Sequence, residues 1–482
     1  MVTTETNETA IAPKPYIKGT IKWCSVSSEE IEKRDYVLTA SSYDIEAKYY
    51  QYAIEHGKYP ATSLDKLAYA YVGSRFRRIW IDKSDAAIPI YQPSVIKDIK
   101  PLPDKYIAKK TRTDIEYLRV NKGQILLTCS GSIGKSAYVS KALDDKVFSH
   151  DLIRISSFEE HDAGYIYAFL NTEAGKKILL TNTYGAVITH IEPEHLANII
   201  IPNPPEEIKE HIHNLIVTSY ELRDESNDII DAATNLLLNE LNLPEKYDDF
   251  DDMKGKVNCF VVDSDNLDNR LDASYHVPIV KKITEHIKKY ADEVTTVGDL
   301  RISRDVVLPG RFKRVYVEEG NGRIFIGGKQ IGELDPAGKK YLSATKHEKR
   351  IYRELEIHEN TILLTRSGTI GRITLTPKHW ESWIPSDHII RVEPRDNQIA
   401  GYLYIFLSSP YALPLITHNI YGAVIDEIDD KQVRQIPIPF LKNKEAQAKI
   451  NSLALLANEK RYEAYLKEQE AIAFMNDNVI FA

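Results

Sequence analysis

The segment Ile125–Gly134, ILLTCSGSIG, returns 237 positions later as Ile362–Gly371, ILLTRSGTIG. The same offset carries Ser149 onto Ser386, Arg154 onto Arg391, and Tyr184-Gly185-Ala186-Val187-Ile188 onto Tyr421-Gly422-Ala423-Val424-Ile425. From Leu118 to Pro202 no gap is needed, and roughly a third of positions are identical, which one fixed offset would hardly produce by chance. Units of roughly 200 residues can each bury a core, so the chain reads as two homologous globular domains and not as a solenoid.

Bulk properties narrow the class. Of 482 residues, 43% are hydrophobic and 27% charged, which leaves room for two or three domains. The polar opening MVTTETNETAIAPKP reads as a loose arm, neither signal peptide nor membrane anchor. Cys24, Cys129 and Cys259 are too few and too scattered for a disulfide framework or a thiolate zinc site, which fits a reducing cytoplasm, and no metal is implied. A net charge of -8 argues against nonspecific coating of nucleic acid, although a basic face can still bind it.

Both repeats open alike, Leu38-Thr39-Ala40-Ser41 against Leu271-Asp272-Ala273-Ser274, although the first opening lacks the aspartate. A basic cluster comes next in each: Arg75, Arg77 and Arg78 around Phe76 and Trp80, then Arg311, Lys313 and Arg314 around Phe312 and Tyr316. Such alternation predicts a half-buried strand with aromatic side chains on one face and guanidinium groups on the other. Further cations lie at Lys109, Lys110 and Arg112, and at Lys346, Lys349 and Arg350. A solvated strand face explains one such cluster; its recurrence raises nucleic-acid contact to equal standing.

The apolar runs Ile125–Thr128 and Ile362–Thr365 read as buried strands entering a tight glycine turn. Gly134-Lys135-Ser136 imitates the end of a phosphate loop, but Cys129 replaces the required first glycine and the second copy reads Gly371-Arg372-Ile373. A structural turn is the main reading. Its rival has backbone amides touching a DNA phosphate, with Ser130, Ser132, Lys135, Ser367, Thr369 and Arg372 as candidates. Gly164–Leu170 and Gly401–Leu407 predict helices with core aromatics, and Tyr184 and Tyr421 are further DNA candidates. Asn203-Pro204-Pro205 imitates a methyltransferase loop but lacks its aromatic residue.

Pro205-Glu206-Glu207 instead opens a helix, with carboxylates at the positive end of its dipole. Ile208, Ile212, Leu215, Ser219, Leu222, Ser226, Ile229, Ala233 and Leu236 trace a heptad seam. A matching stretch after the second repeat carries Ala446, Ile450, Leu453 and Ala457, with a patchier seam through Tyr462, Leu466 and Phe474. A helix of about 36 residues would extend ~54 Å, enough to act as a ruler. A coiled coil between two copies of the chain is the rival.

In the order repeat, helix, repeat, helix, the chain resembles the specificity subunit of type I restriction-modification systems. The resemblance rests on both ILLTxSGxIG segments, the two Pro-ended strands running into long helices, and Arg270-Leu271-Asp272-Ala273-Ser274-Tyr275. It implies an α+β protein: two homologous mixed α/β target recognition domains joined by two long antiparallel helices, a coiled-coil spacer. The expected boundaries are an arm at 1–35, domains at 36–204 and 244–440, and helices at 205–243 and 441–482. It further implies no catalysis and no cofactor on this chain. S-adenosylmethionine would serve two partner methyltransferase subunits, and ATP and Mg a partner restriction/translocase subunit. The helices would dock partners, with Ile208, Ile212, Leu215, Leu222, Ile229, Leu236, Ile450 and Leu453 as candidates. The expected ligand is double-stranded DNA in the cytoplasm, with no membrane. No acid/base pair or metal spacing in the sequence demands an enzyme. Competing readings are a stand-alone dimeric DNA-binding regulator, a subunit of a related type II-like or phage-defence methyltransferase system, and an interaction scaffold. Segments 81–117 and 317–354 differ most between the repeats and are the expected base-reading regions.

Overall fold

The computed structural model describes residues 22–34, 36–103, 105–111, 114–184, 189–251, 259–267, 270–422 and 426–482. They form two compact units: one runs to Glu221 and takes in Ala464–Ala482, the other is Leu222–Glu463. Most of the expected arm, Arg112, and the Gly185–Ile188 and Ala423–Ile425 segments lie outside the described residues.

The first unit is built on an antiparallel sheet in the order Ala68–Val72, Leu152–Ser157, Ile125–Thr128, Ser136–Tyr138. Ile125, Leu126 and Leu127 are all 0% exposed because both faces of that sheet are covered. Ile125 and Leu127 meet the Glu160–Asn171 helix and its aromatics, and Leu126 enters a separate cluster with Phe148 and Leu152. A strand buried on both faces has no reason to alternate, which is why the run is continuously apolar. A smaller sheet, ordered Trp80–Ile81, Lys105–Ala108, Ala87–Tyr91, Val147–Phe148, occupies the divergent region.

The second unit repeats this plan. Its main sheet is Ser303–Val307, Ile389–Pro394, Ile362–Thr365, Ile373–Leu375, and its smaller one Tyr316–Val317, Lys340–Ser343, Gly322–Ile326, Ile384–Pro385. The openings also correspond. Arg270, held by Asp272, donates to the carbonyls of Asn419 (3.3 Å) and Ile420 (2.8 Å); in the first unit Arg34 reaches the Thr181 carbonyl at 2.9 Å. The counterpart of Arg270 in the first unit is therefore an arginine set further upstream.

One glycine in each repeat sets the approach of the core helix to a long helix. A Cβ on Gly164 would sit 2.7 Å from the His213 Cα, and one on Gly401 2.3 Å from the Asn451 carbonyl oxygen. The backbone N–H of Gly164 donates to His213 Nδ1 at 3.1 Å, and that of Gly401 to Asn451 Oδ1 at 2.9 Å.

The long helices are Glu206–Glu240 and Lys444–Met475. Within the first unit Ser219 Oγ donates to the Ala464 carbonyl at 2.7 Å, and His211 packs on Phe474. Within the second, Arg461 Nε donates to Ser226 Oγ at 3.3 Å and Asn443 Nδ2 to Glu240 at 3.2 Å. Both sets of contacts run antiparallel, so the first helix finds its partner in the same chain.

The seam differs from the expected one. The buried positions include Ile212, Ile216, Ser219, Arg223, Ser226, Ile230, Ala233 and Leu237 on the first helix, and Ile450, Ala454, Ala457, Arg461, Ala464, Glu468, Ala471 and Met475 on the second. Half of the first stripe thus falls one residue later than apolarity predicts. Small residues let the backbones approach, and the seam buries Arg223 and Arg461, which a search for apolar heptads skips. Leu215, Ile229, Leu236 and Leu453 pack into their own unit's core, as do Ile212, Ile216, Ile230, Ala233, Leu237 and Ile450, and Leu222 is half-buried. The docking candidates are corrected accordingly. Ile212 and Ile450 are 0% exposed and Leu215 8%, so none of the three can meet another chain without unfolding. Ile208 is half-buried against the first core.

Candidate nucleic-acid interface

The glycine turn is built identically in both repeats. Thr128 Oγ1 donates to the Ser132 carbonyl (2.6 Å) and accepts from the Lys135 N–H (3.0 Å); Thr365 does the same with Thr369 (2.6 Å) and Arg372 (3.0 Å). Gly131, Gly134, Gly368 and Gly371 have φ of 69°, 89°, 74° and 86°, where a side chain would be strained. The threonine explains the turn without a ligand. Ser132 and Thr369 are exposed at its tip, while Lys135 and Arg372 are half-buried at its exit.

Beside the turn stands a hairpin stem, Tyr184 paired with His190 and Tyr421 with Glu427. Ser130 and Ser367 bridge to those same partners, so turn and stem form one surface in each repeat. Tyr184 is 44% exposed and Tyr421 41%.

The basic clusters border this surface, but not as the expected strand. Residues 74–79 and 311–315 are irregular; pairing starts only at Trp80 against Ile107 and Tyr316 against Leu342. Alternation describes a strand only where a neighbouring edge is available, and these residues are still crossing from one sheet to the other. Arg75 and Arg77 are exposed there, and Thr111 Oγ1 donates to the Arg77 carbonyl at 3.3 Å, which brings exposed Lys109 and Lys110 alongside. In the second repeat Lys313 is exposed, and Lys346 and Lys349 are exposed on the Ala344–Arg350 helix.

Three candidate arginines have internal partners. Arg78 Nη2 contacts His150 Nδ1 at 3.1 Å and Asp151 at 3.5 Å. Arg314 is ion-paired with Asp387 and lies over Phe325. Arg350 is bonded to Glu354 and to the Gly310 carbonyl, over the Phe312 ring. Burial pushes the Asp387 carboxyl up, but the Arg314 guanidinium beside it prevails and holds it below the usual carboxylate range. Burial, aided by Arg78 and Arg75, lowers His150 against the opposing pull of Asp151. Arg311 remains 76% exposed, with Glu427 at 3.6 Å.

Two features escaped the reading of the residues. One is the exchange of Ser149-His150-Asp151 for Ser386-Asp387-His388, visible in the gapless repeat beside the shared serine. The other is a lysine in each smaller sheet, Lys105 and Lys340, each with a tyrosine directly after it. In the second repeat Arg314, Tyr316, Phe325, Gly327, Gly328 and Lys340 line an open cleft of about 410 Å³. Among the described residues no group of three His, Cys, Asp or Glu side chains could hold a metal ion, and no helix is long and apolar enough to cross a membrane.

No curated protein matches the chain. Among solved structures it is similar to the S subunit of a type I restriction-modification system from M. genitalium, at 14% identity over 88% of this chain and 96% of that one, with a TM-score of 0.34. It is also similar to the HsdS subunit from Thermoanaerobacter tengcongensis, at 13% identity over 88% and 99%, with a TM-score of 0.27. A chain from a study of complex assembly and conformational transition in the type I R-M system matches at 14% identity over 87% and 98%, TM-score 0.27. The family described as the type I restriction modification DNA specificity domain matches residues 75–227 and 321–453, one segment in each repeat and together more than half of the sequence. With the duplicated turn, stem and basic crossing segment inside or bordering those segments, the chain belongs to the type I restriction-modification DNA specificity family.

Proposed function

We propose that this chain is the DNA-reading subunit of a modification complex, each repeat (36–204 and 244–440) binding one half of a split duplex target. The observation that supports this most is one surface plan carried twice with different outward chemistry. Shared residues suit contacts to a uniform sugar-phosphate backbone, and residues that differ suit two unlike base sequences. The helices at 205–243 and 441–482 would set the spacing and dock two methyltransferase subunits. Partner-binding residues would be outward ones such as Leu456 and Leu466, 42% and 45% exposed, in place of the buried seam candidates. The chain itself would do no chemistry; methyl transfer from S-adenosylmethionine, and ATP- and Mg-dependent cleavage, would belong to partner subunits in the cytoplasm.

A regulator that dimerises through its helices gains no support, because the seam is filled from within the chain. The test is to purify the chain with its methyltransferase and map methylated adenines. A two-part motif with a fixed gap is expected. A continuous motif, or methylation indifferent to the presence of this chain, overturns the proposal.

A further inference from the structure

Lys105 lies opposite Ile90 and Lys340 opposite Phe325, the same place in the two smaller sheets. The Lys105 ammonium is 5.0 Å from the centre of the Trp80 ring, and that of Lys340 5.4 Å from Tyr316. Both aromatics are 43% exposed, and both lysines are exposed. Among the described residues neither lysine makes an ion pair, whereas the neighbouring Arg78 and Arg314 are engaged by Asp151 and Asp387.

We propose that Lys105 and Lys340 are matched phosphate anchors, each contacting one phosphate of the duplex; this rests on the DNA-reading function proposed above. The aromatic face restrains a side chain that otherwise has many rotamers, so less freedom is lost on contact. An ammonium is a point charge that suits a phosphate oxygen and has no fork to match a base edge. Position decides between the two kinds of contact. A residue kept in both repeats cannot distinguish two unlike half-sites, so it contacts the backbone they share. The residues just beyond the adjacent strand do differ, Gln92-Pro93 in one repeat and Gly327-Gly328 in the other, and base reading falls to such positions.

The test uses the full chain with its methyltransferase partner, on duplex containing the mapped target and on random duplex, across a series of salt concentrations. Each of Lys105→Ala and Lys340→Ala should lower the slope of log K against log salt by about 0.9, and the double variant by about twice that. Both duplexes should be weakened by the same factor, the methylated motif should not change, and Lys→Arg should restore the slope. Slopes equal to that of the wild type in correctly folded variants overturn the inference alone, as does a loss confined to one base pair of the motif. If the wild-type complex binds neither duplex, the DNA-reading function falls and the anchors fall with it.

Discussion

Arg154 and Arg391 occupy equivalent places in the two repeats and behave alike, whereas Cys129 and Arg366, equally equivalent, do not. Arg154 is 0% exposed, and its guanidinium donates to the carbonyls of Leu152, Leu118 and Phe148 at 3.1, 2.9 and 3.3 Å. Arg391, 1% exposed, donates to Ile389, Leu355 and Pro385 at 3.0, 3.1 and 2.5 Å. Burial lowers the pKa of both, and each cage ties the main-sheet strand to the segment leading from the smaller sheet. Cys129 instead lies half-buried against the first core at the start of the turn, its thiol pushed up to about 11 by burial and by Asp151, while Arg366 bonds Glu427 and the Ile428 carbonyl. His190 of the first repeat corresponds to Glu427 of the second. The duplication therefore preserved the ties that hold two sheets together and exchanged half-buried residues beside the turn and stem. That is the pattern expected of one frame adapted to two different ligand halves.

The largest test of the shared frame is Arg154→Met and Arg391→Met. Each strands three buried carbonyls and should cost roughly 3–5 kcal/mol, seen as a matching loss in denaturant titrations resolved by limited proteolysis of each unit. A cost in only one repeat would break the equivalence.

Acid should then separate the repeats. Burial pushes His379 down to about 4 from 6.5, and its Nε2 lies 2.9 Å from the Leu334 carbonyl; the first repeat has Ala142 at that place. A depressed histidine leaves stability whole above pH 6.5 and drains it as pH falls toward 4, because the unfolded chain takes up the proton first. His379 should cost the second unit at most about 3 kcal/mol over that window, and His379→Phe should remove that share, leaving the losses from the burial-lowered His347 and His418. The first unit has its own acid-sensitive groups, His150 and His213, both lowered by burial; the second has Asn451 where the first has His213. Loss below pH 6.5 in the first unit should shrink in His213→Asn to the share of His150; an unchanged loss would show that His213 contributes nothing.

Smaller still, Gly164→Ala and Gly401→Ala force a Cβ into a neighbouring helix and should cost roughly 1–3 kcal/mol each, read from the midpoint of thermal unfolding. Gly401 should be the worse, having the closer backbone contact. A neutral substitution at either site would show that the helices can move apart there.

Much of this was legible in the residues. The duplicated motif located the buried strand, the glycine turn and the core helix, because those depend on local apolarity and on the backbone angles that glycine permits. The long helices were legible from period and from Pro205 with its adjoining carboxylates. Less of the interface could be read. The basic clusters were found, but Arg78, Arg314 and Arg350 are engaged by His150, Asp387 and Glu354, and the lysines seated on Trp80 and Tyr316 were missed. The strand expected over 75–80 forms only at Trp80, for want of a partner edge before it, and the buried Arg223 was not read from the apolar pattern.

The sequence by itself determined that one unit is used twice, where the repeated buried strand, glycine turn, core helix and long helices fall, and which residues both copies share. Tertiary structure alone decided which cations are neutralised, which helix face is buried, and which carbonyls cage Arg154 and Arg391. The reason is physical: periodicity and glycine act within a few residues of chain. The charge state and burial of a side chain are set by groups such as Leu118, 36 positions before Arg154, which only folding brings within 2.9 Å.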